Sequence, residues 1–309
     1  MVDNLLSRIE ELKRRKGSRD PRPLLYAARS AGRCRFSGRL ARAVDRSAEG
    51  GGPHDSLRGR TFHGRDGQGA LSRQEGAHPR ARKRAARWPT AARPRRSAAS
   101  APATPAIRWF SYVNTSVEIK AQTDVCCTSS NALKVVESIP AEQPILFAPD
   151  RNLGAYVQKL TGRTNMVLWD GACHVHEEFS LEKLLALREH PAAEVVAHPE
   201  CRAYITAVAD FVGSTAAILD YCGRSDAQEF IVVTEAGILA EMQRRYPRKR
   251  FIPAPPDDET CGCNNCVYMK MVTLERIAAC LENESPEVVI DEQVRRAAER
   301  SIRRMIEIG

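Results

Sequence analysis

The chain has 309 residues, enough for two or three domains, with 47 Lys and Arg against 38 Asp and Glu and a formal net charge of +9. It contains no run of about 18 or more apolar residues, which argues against a helix that spans a membrane. Ten cysteines in such a chain favour metal or redox chemistry over structural disulfides.

Residues 1–16 predict an amphipathic helix, because Leu5, Leu6, Ile9 and Leu12 recur at helical spacing. The segment lacks the continuous apolar core and the small-residue cleavage site of a signal peptide. We therefore expect a cytoplasmic protein that does not interact with a membrane.

The basic charge is concentrated in the next segment. Residues 21–108 hold 19 Arg and one Lys against five acidic residues, and residues 21–106 contain one Val, no Ile and no Met. This composition offers too little branched or aromatic surface to offset the entropy of ordering the chain. Three interpretations remain open: a basic tail for RNA or DNA, an inserted linker, or an out-of-frame translation of a GC-rich gene. The abrupt changes at both ends favour the third, and the other reading frames of the DNA would test it.

From Trp109 onward, short apolar segments alternate with helical ones. The predicted strands are 110–114, 124–127, 144–148, 165–169, 194–198, 209–212, 230–234 and 287–290. The main predicted helices are 128–138, 152–160, 180–188, 214–221, 238–245, 271–281 and 292–308. This alternation predicts an α/β fold with parallel sheets and helices on both faces. We expect a first domain over 1–108, a second over 109–190 and a third over 191–309 that includes the C-terminal helix.

Polar residues follow most of these strands, at the carboxyl ends where ligands of parallel sheets gather. They are Tyr112, Asn114, Ser129, His198, Glu200, Ser214, Thr215, Thr234 and Glu235. The free N–H groups at the helix starts near Ser129 and Ser214 can hold an anion, although each serine alone is as well explained by N-capping. His198 and Glu200 can act as an electrostatic clamp and a general acid or base, or they can be a strand cap and a solvated acid. Together these residues predict a small polyanionic substrate.

Two cysteines that are distant in sequence predict a metal centre. Cys173 lies within residues 169–177 and Cys266 within residues 261–270, and an iron–sulfur cluster needs thiolates that are close in space rather than in sequence. We interpret His174 and His176 as supporting or surface groups, because alternate positions of an extended chain face opposite ways. The spacing of Cys261, Cys263 and Cys266 does not predict a self-contained zinc site. The remaining cysteines, other than Cys34 and Cys201, are predicted to be core residues: Cys126, Cys127, Cys222 and Cys280.

Several motifs, in this order, resemble the quinolinate synthase family. They are Ser111-Tyr-Val-Asn-Thr-Ser116, Asp124-Val-Cys-Cys-Thr-Ser-Ser-Asn-Ala132, Pro149-Asp-Arg-Asn-Leu-Gly154, Cys173-His-Val-His176, His198-Pro-Glu-Cys201, Val212-Gly-Ser-Thr215, Thr234-Glu235 and Cys266-Val-Tyr-Met-Lys270. The resemblance implies a pseudo-threefold arrangement of αβα domains around a central 4Fe–4S cluster, with one cysteine from each domain. It identifies Cys173 and Cys266 as two of these ligands.

The resemblance also implies a reaction. Iminoaspartate, supplied by an aspartate oxidase or dehydrogenase, condenses with dihydroxyacetone phosphate to give quinolinate for NAD biosynthesis, with loss of phosphate and water and with the cluster as a Lewis acid. Tyr112, Glu200 and His198 would be catalytic. The substrate-binding set would be Tyr112, Asn114, Ser129, His198, Glu200 and Thr215.

The resemblance fails between residues 20 and 108, where the family's first cluster cysteine and its neighbouring His and Tyr find no match. We therefore expect the chain as written to be inactive or poorly folded, and an in-frame parent to be a quinolinate synthase. Two other classes of function stay open. An Arg-rich nucleic-acid-binding protein is disfavoured because few aromatic residues lie among the arginines. The other is a zinc or iron enzyme, a hydrolase or hydro-lyase, that uses Cys173 and a nearby His.

Overall fold

The computed structural model describes residues 2–15, 107–188, 193–257, 264–285 and 288–309. Most of the Arg-rich segment, together with Cys261 and Cys263, lies outside the described residues. What the sequence predicts for those residues therefore stays a prediction.

The first sheet follows an N-terminal helix and is built from residues 108–168. The elements of this half are α1 (Val2–Arg15), β1 (Arg108–Tyr112), α2 (Val117–Gln122), β2 (Val125–Cys127), α3 (Ala132–Glu137), β3 (Ile145–Phe147), α4 (Arg151–Thr161), β4 (Met166–Leu168), α5 (His174–Glu177) and α6 (Leu181–Arg188). The four strands are parallel and lie in the order β2-β1-β3-β4.

The second sheet is built from residues 193–253. The elements of this half are β5 (Ala193–Ala197), α7 (Ala203–Thr206), β6 (Phe211–Val212), α8 (Thr215–Arg224), β7 (Glu229–Val233), α9 (Ile238–Arg245), β8 (Arg250–Pro253), α10 (Val267–Lys270), α11 (Leu274–Asn283) and α12 (Glu292–Ile308). Its strands are also parallel, in the order β6-β5-β7-β8.

The central residues of β5 and β7 are apolar because both faces of the second sheet are covered. Val195 and Ile231 pack into one core, and Val196 and Val232 pack into another on the opposite face. Successive side chains of a strand point to opposite faces, so two buried faces require a continuous apolar run. The predicted α/β fold with parallel sheets is confirmed, and the two sheets repeat one strand order. The domain boundaries themselves stay a prediction.

Two helices join parts that are distant in the chain. Ile9 of α1 is fully buried and packs with Leu274 and Ile277 of α11. The C-terminal helix α12 packs against α2 and β2, and its Met305 lies in the core of the first sheet. A helix that follows the second sheet in the chain therefore covers the first sheet. None of the described helices combines the length and the apolar character that crossing a membrane requires.

The described residues differ from the sequence prediction at several places, among them the short helices α5, α7 and α10, which were not predicted, and α3, which begins at Ala132 rather than at 128. Residues 288–290 belong to no strand, so the strand predicted over 287–290 is wrong there. The helix predicted over 271–281 begins instead at Leu274, because the Thr273 hydroxyl accepts the backbone N–H of Arg276 and caps it. The strand β8 was not predicted, since its short apolar core lies between an arginine and a proline.

Candidate functional site

Cys173 lies in the loop that follows the last strand of the first sheet. It follows β4 and caps the short helix α5. Asp150 follows the neighbouring strand β3, and its Oδ1 accepts the backbone N–H groups of Asn152 (2.8 Å) and Leu153 (2.9 Å) at the start of α4. Its Oδ2 accepts the backbone N–H of Cys173 at 2.8 Å. The carboxylate thus holds a helix start with one oxygen and the cysteine loop with the other.

Cys266 occupies the equivalent place in the second sheet. It follows β8 and caps the short helix α10. Glu235 follows the neighbouring strand β7, and its Oε1 accepts the backbone N–H of Cys266 at 3.2 Å. Its Oε2 accepts the N–H of Gly237 at 2.7 Å, and Lys270 lies 3.3 Å from Oε1. Both repeats therefore hold a cysteine loop with the carboxylate that follows the third strand of the unit.

The structure brings the two cysteines to one place. Both are partly buried, and both pack against the apolar cluster that includes Val175 and Val233. The ring of His174, next to Cys173, contacts the ring of Tyr268, two residues after Cys266, edge to face at 5.7 Å. Burial raises the pKa of the Cys266 thiol, and the nearby Cys173 contributes to the rise. Two cysteines that are distant in sequence thus lie near one another in the fold.

A buried group of polar side chains lies beside Cys173. His176 Nδ1 is 3.2 Å from Glu200 Oε2, and its Nε2 is 3.0 Å from Thr234 Oγ1. The His176 ring stacks on His198, with centroids 4.4 Å apart and planes 16° from parallel. All four side chains are buried.

The charges of this group are set by burial and by mutual contact. Burial alone raises the pKa of Glu200, but the protonated His176 and the hydrogen bonds with His176 and the Tyr112 hydroxyl hold it below its usual value. Burial alone lowers the pKa of His176, but Cys173 and Glu200 raise it well above 6.5. Burial and the neighbouring His176 lower the pKa of His198 to about 3. An ionised Glu200 thus pairs with a protonated His176, and His198 is neutral.

The N–H of Glu200 donates to His198 Nδ1 at 3.3 Å, which leaves the ring proton of His198 on Nε2. Asp150 responds to the same charges: burial and then the Glu200 carboxylate raise its pKa to about 7.

Two further predicted site residues join this group, and two do not. The N–H of Ser129 donates to the Tyr112 hydroxyl at 3.2 Å, and burial and the Glu200 carboxylate raise the pKa of Tyr112 well above 10.0. Asn114 is exposed in the turn after β1, and Thr215 is the partly buried first residue of α8. The contacts recorded for the described residues do not link Asn114 or Thr215 to Glu200.

A charged network that the sequence did not reveal ties the two units together. Glu177 is buried and accepts hydrogen bonds from Arg151 and, at 2.6 Å, from Asn152, while Arg202 lies 3.5 Å away. Asn152 also donates to the backbone carbonyl of Glu200 at 3.0 Å. Arg151 and Asn152 begin α4 of the first unit, and Glu200 and Arg202 follow β5 of the second. The network thus fixes the loop of the catalytic candidates against the loop of Cys173.

His176 and Asp150 are more central to the site than the sequence analysis predicted. We expected His176 to be a supporting or surface group, whereas it is buried at the centre of the polar group. The signal was present, because Cys173 and His176 are three residues apart and a helical turn places such residues on one face. The thiol of Cys173, a ring nitrogen of His176 and a carboxylate oxygen of Glu200 lie within 4.8 Å of one another.

Comparison with known proteins gives one consistent result. Residues 85–307 match the family model described as "Quinolinate synthetase A protein". The chain is 54% identical over 201 residues to a quinolinate synthase of Chloroherpeton thalassium, covering 65% of this chain and 62% of the relative. Identity to a quinolinate synthase of Synechococcus sp. is 54% over 198 residues, which is 64% of this chain and 62% of the relative. The chain therefore spans less than two thirds of the length of these curated relatives.

Proposed function

The chain belongs to the quinolinate synthase family, and from that premise we propose that it carries two of the three parts of an enzyme that condenses iminoaspartate with dihydroxyacetone phosphate. The product would be quinolinate for NAD biosynthesis, formed in the cytoplasm. An aspartate oxidase or dehydrogenase would supply the imine.

One observation carries the proposal: Cys173 and Cys266, 93 positions apart in the printed numbering, pack against the same apolar cluster, and each is the N-cap residue of a short helix in equivalent repeats. Half-buried cysteines with ordered backbones and no disulfide suit iron–sulfur ligation. We propose that they hold a 4Fe–4S cluster together with a third cysteine from the first domain. When bound, a cluster with an open iron site supplies a Lewis acid that assists the loss of water.

The side chains around Cys173 would bind the substrate and move its protons. Glu200 is ionised and would be the group that accepts a proton, with Tyr112 and His198 beside it as hydrogen-bonding groups. Tyr112 receives the Ser129 N–H, which fixes its hydroxyl. We propose that Ser129, Asn114 and the helix start at Thr215 bind the carboxylates and the phosphate.

We also propose that the chain as written turns over poorly. Its curated relatives match about two thirds of it, and the segment where the family's first cysteine belongs resembles none of the expected motifs. A cluster held by two of three thiolates would be labile. The nucleic-acid alternative rests on the Arg-rich segment, which lies outside the described residues, and the contacts described here do not favour it.

Anaerobic reconstitution with iron and sulfide tests the proposal. We expect the chain to take up substoichiometric iron and sulfide, and the variants Cys173→Ser and Cys266→Ser to take up much less. Cys280→Ala, half-buried in α11, is the matched control and should behave like the parent chain. Equal iron in all four proteins would overturn the cluster assignment. Full occupancy with quinolinate formation by the written chain would instead refute its predicted inactivity.

A further inference from the structure

The first strands of the two units can be matched residue by residue. In β1 the backbone N–H of Trp109 donates to Asp124 Oδ2 at 2.8 Å, and the backbone N–H of Asp124 donates to the Trp109 carbonyl at 2.9 Å. In β5 the backbone N–H of Val195 donates to Asp210 Oδ2 at 2.8 Å, and the N–H of Asp210 donates to the Val195 carbonyl at 2.8 Å. Trp109 of the first sheet therefore corresponds to Val195 of the second.

The row of side chains that begins at Val195 is covered by a helix. The register of the second sheet places Ile231 beside Val195 and Ile252 beside Ile231. The helix α6, which precedes β5 in the chain, packs on this face, and its Leu184 shares one apolar cluster with Phe179, Val195 and Ile231. Val195, Ile231 and Leu184 are all 0% exposed. In the second unit, the segment before the first strand thus closes this face of the sheet.

The corresponding row of the first sheet is open. It consists of Trp109, Leu146 and Val167, which lie side by side across β1, β3 and β4, and we call it the outer row. Helix α12 covers this face at β2, where the thiol of Cys126 donates to Ser301 Oγ at 3.4 Å. Farther across the sheet, Trp109 and Leu146 are partly exposed and Val167 is 58% exposed. The indole N–H of Trp109 is buried and finds no acceptor among the described residues. Parallel sheets normally have both faces covered, so the outer row lacks a partner in the part of the chain that the structure describes.

The residues just before β1 have no large apolar side chain that could cover the outer row. Residues 89–106 contain four Pro and no Val, Leu, Ile, Met or aromatic residue. A helix that covers a sheet needs an apolar stripe, and prolines interrupt a helix. Counted back from the matched strand residues, the counterparts of Leu184 and Phe179 are Ala98 and Arg93. The outer row therefore needs an occupant from outside this segment.

We propose that the outer row joins two copies of this chain about a twofold axis. Such a contact is self-complementary, because it places each outer row against the same row of the second copy and buries both at once. A contiguous exposed apolar patch is the usual mark of an association surface. Val167 is exposed on β4, an edge strand, so a second copy can reach it without displacing a described element. The interface includes none of the proposed cluster ligands or substrate-binding residues and does not rest on the proposed function.

Sedimentation velocity of the full chain, over a range of concentrations, tests the interface. A thiol reductant excludes disulfide-linked dimers, and high salt screens the charges of the Arg-rich segment without weakening the burial of apolar surface. We expect a monomer–dimer equilibrium. Val167→Lys should raise the dissociation constant of the dimer at least about tenfold, because a twofold interface buries the altered side chain twice. Since Val167 is exposed in a single copy, circular dichroism should show unchanged folding.

Val289→Lys is the matched control. Val289 is 69% exposed and lies outside the outer row, so unspecific association of exposed apolar residues would respond to this change as strongly as to Val167→Lys. We expect Val289→Lys to dimerise like the parent chain. A written chain that stays monomeric, or equal effects of the two substitutions, would overturn the interface.

A segment exchange tests the same interface from the other side. Replacing residues 92–106 by a copy of residues 178–192 sets Phe179 and Leu184 at the same distance before β1 as they have before β5. The copied segment should cover the outer row within one chain, so this variant should be monomeric where the parent chain is a dimer. Undiminished dimerisation of the exchanged chain would contradict the proposal. Iron uptake tests the proposed function separately, so neither result decides the other.

Discussion

Asp150 Oδ2 accepts the backbone N–H of Cys173 at 2.8 Å, and Oδ1 of the same carboxylate caps the helix that begins at Arg151. Glu235 stands in the same relation to Cys266 in the second repeat. In each unit the carboxylate follows the third strand, and the cysteine follows the fourth. Since neighbouring parallel strands end at one edge of a sheet, this relation is a product of strand order. Each repeat therefore contains a cysteine and also a carboxylate that accepts the backbone N–H of that cysteine.

Asp150→Asn should loosen the Cys173 loop. The side chain faces backbone N–H groups with both oxygens, so an amide places its NH₂ against one of them whichever way it turns. An unsatisfied buried donor costs about 1–3 kcal/mol, which corresponds to roughly ten- to hundredfold faster amide exchange at Cys173. Hydrogen exchange read by mass spectrometry or NMR measures this. Asp170→Asn, at an exposed carboxylate that pairs with Arg151, is the control and should change exchange little.

Glu235→Ala should have the corresponding effect at Cys266. It removes the acceptor for the N–H groups of Cys266 and Gly237 and leaves Lys270 without its ion pair. We expect faster amide exchange at Cys266 and unchanged exchange at Cys173. The two variants thus serve as controls for each other. Equal loosening of both loops by either variant would show that the carboxylates act on the whole fold rather than on their own cysteine.

Glu177→Ala should weaken the link between the two units. Glu177 is 8% exposed, whereas Arg151 and Arg202 are 40% and 42% exposed and can return to water. The cost should therefore be about 1–3 kcal/mol, below that of breaking a fully buried ion pair. Urea unfolding measures it, and a double-mutant cycle with Asn152→Ala should show coupling of about 0.5 kcal/mol or more. Glu229→Ala, at the exposed ion pair with Arg250, is the matched control and should cost less than about 1 kcal/mol. Equal costs would mean that burial of Glu177 contributes nothing.

The parts of the fold that were predictable depend on local pattern. Strands such as β5 and β7 have apolar central residues, and the alternation of strands and helices fixes a parallel arrangement. The parts that were missed depend on geometry beyond the local pattern. His176 was judged as if its chain were extended, whereas Cys173 begins a helical turn that puts both residues on one face.

The links between units have no signature in a single sequence. Asn152 reaches the carbonyl of Glu200 only because α4 begins where β5 ends in space. Neither residue type is unusual at its position, so nothing in the printed sequence marks the pair. Asp150 caps α4 through a local contact, whereas its bond to Cys173 depends on the register of β3 and β4.

Met305→Ala should destabilise the first sheet even though the residue follows the second one in the chain. Met305 is 5% exposed and lies in a core with Cys126 and Val135. Removing a buried Met side chain leaves a cavity and costs about 2–5 kcal/mol. Urea unfolding followed by tryptophan fluorescence should report the loss, because Trp109 and Trp169 both belong to the first unit. Arg304→Ala, on the exposed face of the same helix, is the control and should stay within about 0.5 kcal/mol of the parent chain. If Met305→Ala left the first unit as stable as before, the packing of α12 on that sheet would be wrong.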